Sequence, residues 1–176
     1  MPMIDAFIPE HALTPEAEGH LLEELTDILI RAEGYDPGNP VAQRISVLYL
    51  HRPAAVLVGG EPSKLPRYRI IPSAPEGQYT DESRATLVKE ITEAVARAEN
   101  TPFEEIAPRV WIFPTEIPDG QWGAKGIILR LPDIHAMLAG EEKRHEGVDR
   151  LARRRKQKAL VTLEAARSDV RAPGPE

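Results

Sequence analysis

The chain has no cysteine. That excludes disulfides, a thiol nucleophile and cysteine-ligated metals. No apolar run approaches the roughly 20 residues that span a bilayer, and no signal-peptide pattern opens the chain. The expectation is a cytoplasmic protein with no membrane contact. His11, His20, His51, His135 and His145 show no paired ligand spacing, so neither a metal site nor a cofactor is expected. Gly59-Gly60 reads as a turn and not as a phosphate-cradling loop. A net charge of −6 argues against polyanion binding by the chain as a whole, although residues 143–158 are strongly basic.

What is present suits one domain, or one domain with a tail. Of 176 residues, 41% are apolar, enough for a core, and 28% are charged. The strongest internal signal is a duplication. Shifted by 66 residues, Thr14–Glu33 overlies Thr80–Glu99 without a gap. Thr14, Glu16, Leu21, Glu24, Thr26, Arg31, Ala32 and Glu33 meet Thr80, Glu82, Leu87, Glu90, Thr92, Arg97, Ala98 and Glu99. That period is too long for a solenoid and indicates a duplicated subdomain.

Each copy contains a punctuated helix. Thr14 is an N-cap, Pro15 suits the first helical position, and Glu16 and Glu18 favour the positive helix end. Leu21, Leu22, Leu25, Ile28 and Leu29 make one apolar face, and Gly34 stops the helix. The second helix starts at Thr80, shows Leu87, Val88, Ile91, Ala94 and Val95 at helical spacing, and ends at Asn100 and Pro102. Strands at 3–8 and 44–50 flank the first helix; strands at 67–71 and 109–113 flank the second. Segments 56–58 and 124–129 read as short extra strands. A helical crossover makes its two strands parallel. The predicted fold class is α+β: tandem β-α-β units forming a four-stranded, mostly parallel sheet with two helices on one face, plus a C-terminal helical tail. The opposite face, carrying Ile4, Val47 and Tyr49 or their neighbours, is left bare and predicts an oligomer.

Two regions follow: residues 1–132, with repeats at about 2–60 and 66–130, and a charged helical tail at 133–176. The tail helix is expected over 139–168 with a thin stripe of Leu151, Leu160, Val161 and Leu163, and a disordered end from 172. Its basic run, residues 150–158, reads as a solvated face balanced by Glu141, Glu142 and Glu146; nucleic-acid binding is the lesser reading.

Met1-Pro2 carries the chemistry. Removing Met1 frees a secondary amine, a base that no side chain supplies. An α-amino group titrates at about 7.7–8.0, and an apolar pocket or nearby arginines lower that value. A base poised near neutrality suits proton abstraction from carbon. Position 2 has Arg67-Tyr68 as its counterpart in the second copy, so one active site per chain is the most expected.

A duplicated β-α-β chain beginning Met-Pro resembles the tautomerase superfamily. Leu13-Thr14-Pro15 with Leu25-Thr26-Asp27, Val58-Gly59-Gly60, and Trp111 followed by Glu116 are similar to the cis-3-chloroacrylic acid dehalogenase group. His51-Arg52-Pro53 is similar to malonate semialdehyde decarboxylase. The resemblance covers residues 2–132 and implies a trimer whose amino-terminal proline, here Pro2, acts as general base and acid on a small carboxylic acid.

This chain departs from those patterns. The loop before the second helix, Ala74 to Tyr79, has no arginine; Gln78 is its substrate-binding candidate. Leu29 stands at a family histidine, Gln121 at the water-activating glutamate, Phe113 at a tyrosine and Gln43 at the decarboxylase aspartate. Arg44, Arg67, Arg69 and Arg109 are candidate replacements for holding a substrate carboxylate, and Trp122 is either a pocket wall or an interface anchor. The leading expectation is keto-enol tautomerisation of a 2-oxo or enol acid. Hydration, dehalogenation or decarboxylation of a three-carbon acid is the alternative. The third reading is a non-catalytic oligomeric scaffold with a basic interaction tail.

Overall fold

The two copies fold as paired β-α-β units. The structure is a computed structural model that describes residues 3–171, with side chains through residue 167. Pro2 and the end expected to be disordered, 172–176, lie outside the described residues. In chain order the first unit comprises β1 (Met3–Phe7), α1 (Pro15–Ala32), α2 (Pro40–Ile45), β2 (Val47–His51) and a hairpin of β3 (Leu57–Val58) and β4 (Glu61–Pro62). The second comprises β5 (Tyr68–Pro75), α3 (Asp81–Glu99), α4 (Phe103–Ile106), β6 (Val110–Ile112), β7 (Thr115–Ile117) and a hairpin of β8 (Gly123–Ala124) and β9 (Ile127–Ile128). Helices α5 (Leu131–Ala139) and α6 (Arg144–Arg171) follow.

The sheet order is β2-β1-β5-β6, with β7 also on β5. β1 runs parallel to β2, and β5 runs parallel to β6 and β7; the central β1–β5 pair is antiparallel. The two units are therefore related by an approximate twofold axis. Pro114 has no N–H to give the ladder, and the strand expected at 109–113 divides there into β6 and β7.

This symmetry accounts for the repeated residues. Thr14 caps α1 through Ala17 N–H at 3.2 Å, and Thr80 caps α3 through Ser83 N–H at 2.8 Å. Leu21 and Leu87 are both buried in the core between helices and sheet. Thr26 and Thr92 donate to the carbonyls one turn back, at 3.1 and 2.8 Å. Arg31 pairs with Glu90 at 3.5 Å, and reciprocally Arg97 pairs with Glu24. These exposed pairs contribute about 0–1 kcal/mol each, but they fix how two antiparallel helices lie together. Helix ends follow the punctuation: Gly34 takes φ 84° after α1, and Asn100 takes φ 51° after α3.

Four expectations need correction. Asn39 accepts N–H groups of Val41 and Ala42 at 2.9 and 3.2 Å, with Pro40 in the first turn. This cap makes 40–45 a helix, so Arg44 sits on α2 and the strand starts at Val47. Segment 124–129 is a hairpin because Lys125 and Gly126 take φ 55° and 75°. Ile4 points at the helices and is 2% exposed; Met3, Asp5 and Phe7 share the other face. That face is open as expected, with Val47 43%, Tyr49 53% and Trp111 62% exposed. The tail forms two helices, broken at Gly140 with φ 109°.

The tail is held to the body. Gly147 lies so close to α5 that an added Cβ would stand 2.8 Å from Pro132 Cα, and Leu151 is buried, whereas Leu160, Val161 and Leu163 are exposed. Arg155 forms two hydrogen bonds of 2.9 Å with Glu76, and Arg150 reaches Gln78. The basic run is thus partly balanced by the body, while Glu141 pairs with Arg144 and Glu146 with His135. No described helix is long and apolar enough to cross a membrane.

Candidate active site

The approximate twofold axis gives the sheet two comparable ends. At the start of β1, a cleft of about 390 Å³ is lined by Met3, Ile45, Tyr49, Ile117, Gln121 and Trp122. Trp122 is 8% exposed and packs inside its own chain with Ile30, Leu129, Ile134 and Leu138. Met3 and Tyr35 pack against the same cluster.

Next to this apolar cluster runs a buried polar network. Gln78 is 5% exposed and donates through Nε2 to Glu33 Oε2 at 3.3 Å and to Tyr35 Oη at 3.4 Å. Arg150 of α6 donates to Gln78 Oε1 at 2.5 Å and to the Glu33 carbonyl at 3.2 Å. Tyr35 Oη and His135 Nδ1 share a proton at 2.8 Å, and His135 Nε2 stands 3.3 Å from Glu146. Burial pushes the Glu33 carboxyl up to about 7, against the opposing charge of Arg150.

The loop holding Gln78 is fixed from two sides. Glu116 Oε1 accepts from Gly77 N and Tyr79 N at 2.9 and 3.1 Å, and its other oxygen takes Arg84 at 2.7 Å. Gly77 has φ +95°, and a Cβ there would stand 3.1 Å from Leu131 and 3.4 Å from the Leu151 backbone. Only glycine fits this turn against α5 and α6. Glu76 accepts from Arg155 and from Asp119 N at 3.0 Å. The hydrogen bonds from Arg155 hold its carboxyl down at about 2.

At the other end, by the start of β5, a cleft of about 440 Å³ is lined by Leu57, Val58, Arg67, Arg69, Arg109 and Trp111. Here Glu99, the twin of Glu33, accepts Tyr68 Oη at 2.6 Å and a two-point contact from Arg109, which is 6% exposed. Burial alone would raise Glu99, but the hydrogen bonds from Arg109 and Tyr68 hold it below the usual carboxylate range. Repeated carboxylates are thus pushed in opposite directions.

The predicted site residues divide between the ends. Gln121 and Trp122 line the β1 cleft, Gln78 lies buried in the polar network, and Arg44 is exposed on α2, next to the cleft residue Ile45. Arg67, Arg69, Arg109 and Phe113 lie at the β5 cleft or beside it. Because β1 and β5 are antiparallel, Met3 pairs with Ser73 while Phe7 pairs with Arg69. That separates these arginines from the start of β1 by roughly four residues of strand, about 13 Å within one chain. Arg109 is further committed to Glu99. Arg52, in the decarboxylase-like triplet, is likewise bound to Glu18 by two contacts of 2.6 Å.

Sequence reasoning missed Glu33, Tyr35, His135 and Arg150. Glu33 was visible as one of the repeated identities. Arg150 was concealed in a basic run, and nothing marked Tyr35 or His135. Among the described residues, no group of three or more His, Cys, Asp or Glu is placed to hold a metal ion.

Comparison with known proteins agrees with the fold. The family model "Tautomerase enzyme" matches residues 72–130. The Q0 fused 4-OT, a wild-type symmetric trimer, is similar at 23% identity over 78% of this chain and 98% of that one, with a TM-score of 0.58. Pt0534 inactivated by 2-oxo-3-pentynoate is 20% identical over 72% and 94%, with a TM-score of 0.58. The macrophage migration inhibitory factor of Toxoplasma gondii is 17% identical over 72% and 99%, with a TM-score of 0.56. No curated protein was matched by sequence. The chain has the tautomerase-superfamily fold; a closer tie to the dehalogenase and decarboxylase group is not among these matches.

Proposed function

We propose that this tautomerase-fold chain is an isomerase that uses Pro2 as general base and acid on a small 2-oxo or enol carboxylic acid, with Glu33 as the proton partner of that amine. One observation carries the reading. Tyr68 occupies the position 66 residues after Pro2, and its hydroxyl meets Glu99, the twin of Glu33. That correspondence supports pairing position 2 with Glu33, beside the cleft that Gln121 and Trp122 line.

The chemistry follows from the groups available. The neutral Pro2 nitrogen takes a proton from the carbon next to the carbonyl; the C–H pair becomes the C=C bond, and the carbonyl oxygen receives a proton. The reverse sequence ketonises an enol. A carboxylate near such an amine favours its protonated form, whereas apolar surroundings favour the neutral one. A carboxyl raised to about 7 suits proton exchange with an amine that titrates near neutrality. Gln121 orients substrate by hydrogen bonding and is a poor activator of water. This favours tautomerisation over hydration, dehalogenation or decarboxylation of a three-carbon acid.

The open sheet face with Val47 and Tyr49 packs on further copies of the chain, and the symmetric trimer of the Q0 fused 4-OT supports a homotrimer. Three measurements test the function. Intact mass is expected to show Met1 removed. Ultraviolet assay of phenylpyruvate or 2-hydroxymuconate is expected to give ketonisation that falls at least about a hundredfold in Pro2→Ala. 2-Oxo-3-pentynoate is expected to add its mass to the peptide carrying Pro2. A retained Met1, or equal rates in wild type and Pro2→Ala, overturns the reading.

A further inference from the structure

The cleft at the start of β5 lies apart from the β1 cleft within the chain, at the other end of the antiparallel β1–β5 pair. Its volume of about 440 Å³ lies in the range of small-molecule pockets. It is the counterpart of the β1 cleft under the 66-residue correspondence, and each cleft is walled by the other repeat's hairpin. Leu57 and Val58 of β3 serve here; Gly123 and Ala124 of β8 serve there.

Its charge is distinctive. Glu99 neutralises Arg109. Arg67 donates one N–H to the Pro108 carbonyl at 3.3 Å, while its Nε is buried with no acceptor. Arg69 lies over Phe7 and Phe113 at 5.1 and 5.6 Å from the ring centroids, and it forms no ion pair among the described residues. A buried donor without an acceptor costs about 1–3 kcal/mol, a deficit that an incoming oxygen removes. Two guanidinium groups bordering an apolar box of Leu57, Val58 and Trp111 suit a carboxylate on an apolar body.

We infer that the β5 cleft is a second, non-catalytic site that binds a small carboxylate bearing an apolar or aromatic body. It holds its ligand without turning it over, because Tyr68 stands where the first repeat has its amine and its hydroxyl is engaged by Glu99.

The chain has two tryptophans, and they fall one to each cleft: Trp111 here and Trp122 at β1. Their indole N–H resonances report the two sites separately during titration of the full-length protein with 3-phenylpropionate. The Trp111 resonance is expected to shift saturably in wild type and in Pro2→Ala. Arg69→Gln, and separately Arg67→Gln, should weaken that response about tenfold or more while the Trp122 response is kept. A stationary Trp111 resonance, or a Trp111 titration unchanged in both arginine variants, overturns the inference. Neither result depends on turnover at Pro2, so loss of this site and loss of the proposed function are distinguishable.

Discussion

Replacing Glu33 with glutamine exchanges a buried titratable carboxyl for a neutral group of the same shape. Burial raises the folded-state pKa of Glu33 from 4.5 to about 7. A group raised in this way destabilises the fold only where it is forced to ionise. Below pH 4.5 it is protonated in both folded and unfolded chains and imposes no penalty. As pH rises through 7 the unfolded chain ionises freely and the folded one resists, so stability falls. At about 1.4 kcal/mol per pH unit the full loss is about 3 kcal/mol. Glutamine carries no charge at any pH. The stability of Glu33→Gln relative to wild type should therefore rise by about 3 kcal/mol between pH 4 and pH 8. Urea unfolding at a single protein concentration measures this, and with a slope near 2 kcal/mol per molar the relative midpoint should move by about 1.5 M. Titrating groups remote from Glu33 cancel in the difference. Curves for the two proteins that stay parallel across that range would refute the reasoning.

Two further substitutions probe the frame around the clefts. Arg109→Met leaves the part-buried Glu99 without its guanidinium and should cost about 2–3 kcal/mol, seen as a melting temperature lower by about 5–10 °C, with Glu99→Gln restoring part of it. Glu76 is held at about 2 by Arg155, so its stabilising contribution is present above pH 4.5 and is lost as pH falls towards 2. Since Arg155 is half exposed, Glu76→Gln should be less stable than wild type by only about 1 kcal/mol at pH 6, with no difference at pH 2, by chemical denaturation.

Much of the fold was legible because its signals are local. Thr14 and Thr80 announce helix starts, Gly34 and Asn100 announce stops, and the 66-residue offset gives the number of units. The misreadings arose where a local signal was outvoted or misphased. Asn39-Pro40 is a helix start, yet the alternating apolar residues beyond it drew the strand forward to Arg44. Ile4 was put on the wrong face because a strand alternates with period two, and a slip of one residue inverts every side chain. The site was harder, since it depends on which end of an antiparallel pair each residue reaches. Arg67, Arg69 and Arg109 are candidates for holding the substrate carboxylate, but the β1–β5 register carries them away from the start of β1. Arg150 lies 72 residues from its partner Gln78, and no periodicity announces a contact at that range.

The duplication has a practical consequence at the bench. Whatever is changed at Glu33, Thr26 or Arg31 can be changed again at Glu99, Thr92 or Arg97, in the same polypeptide and under the same conditions. Each position thus arrives with a matched control already built in. Among the described residues, helix α6 binds at the Glu33 end through Arg150 and Arg155, whereas Glu99 is held by Tyr68 and Arg109, so each matched pair compares the two settings of one repeated residue.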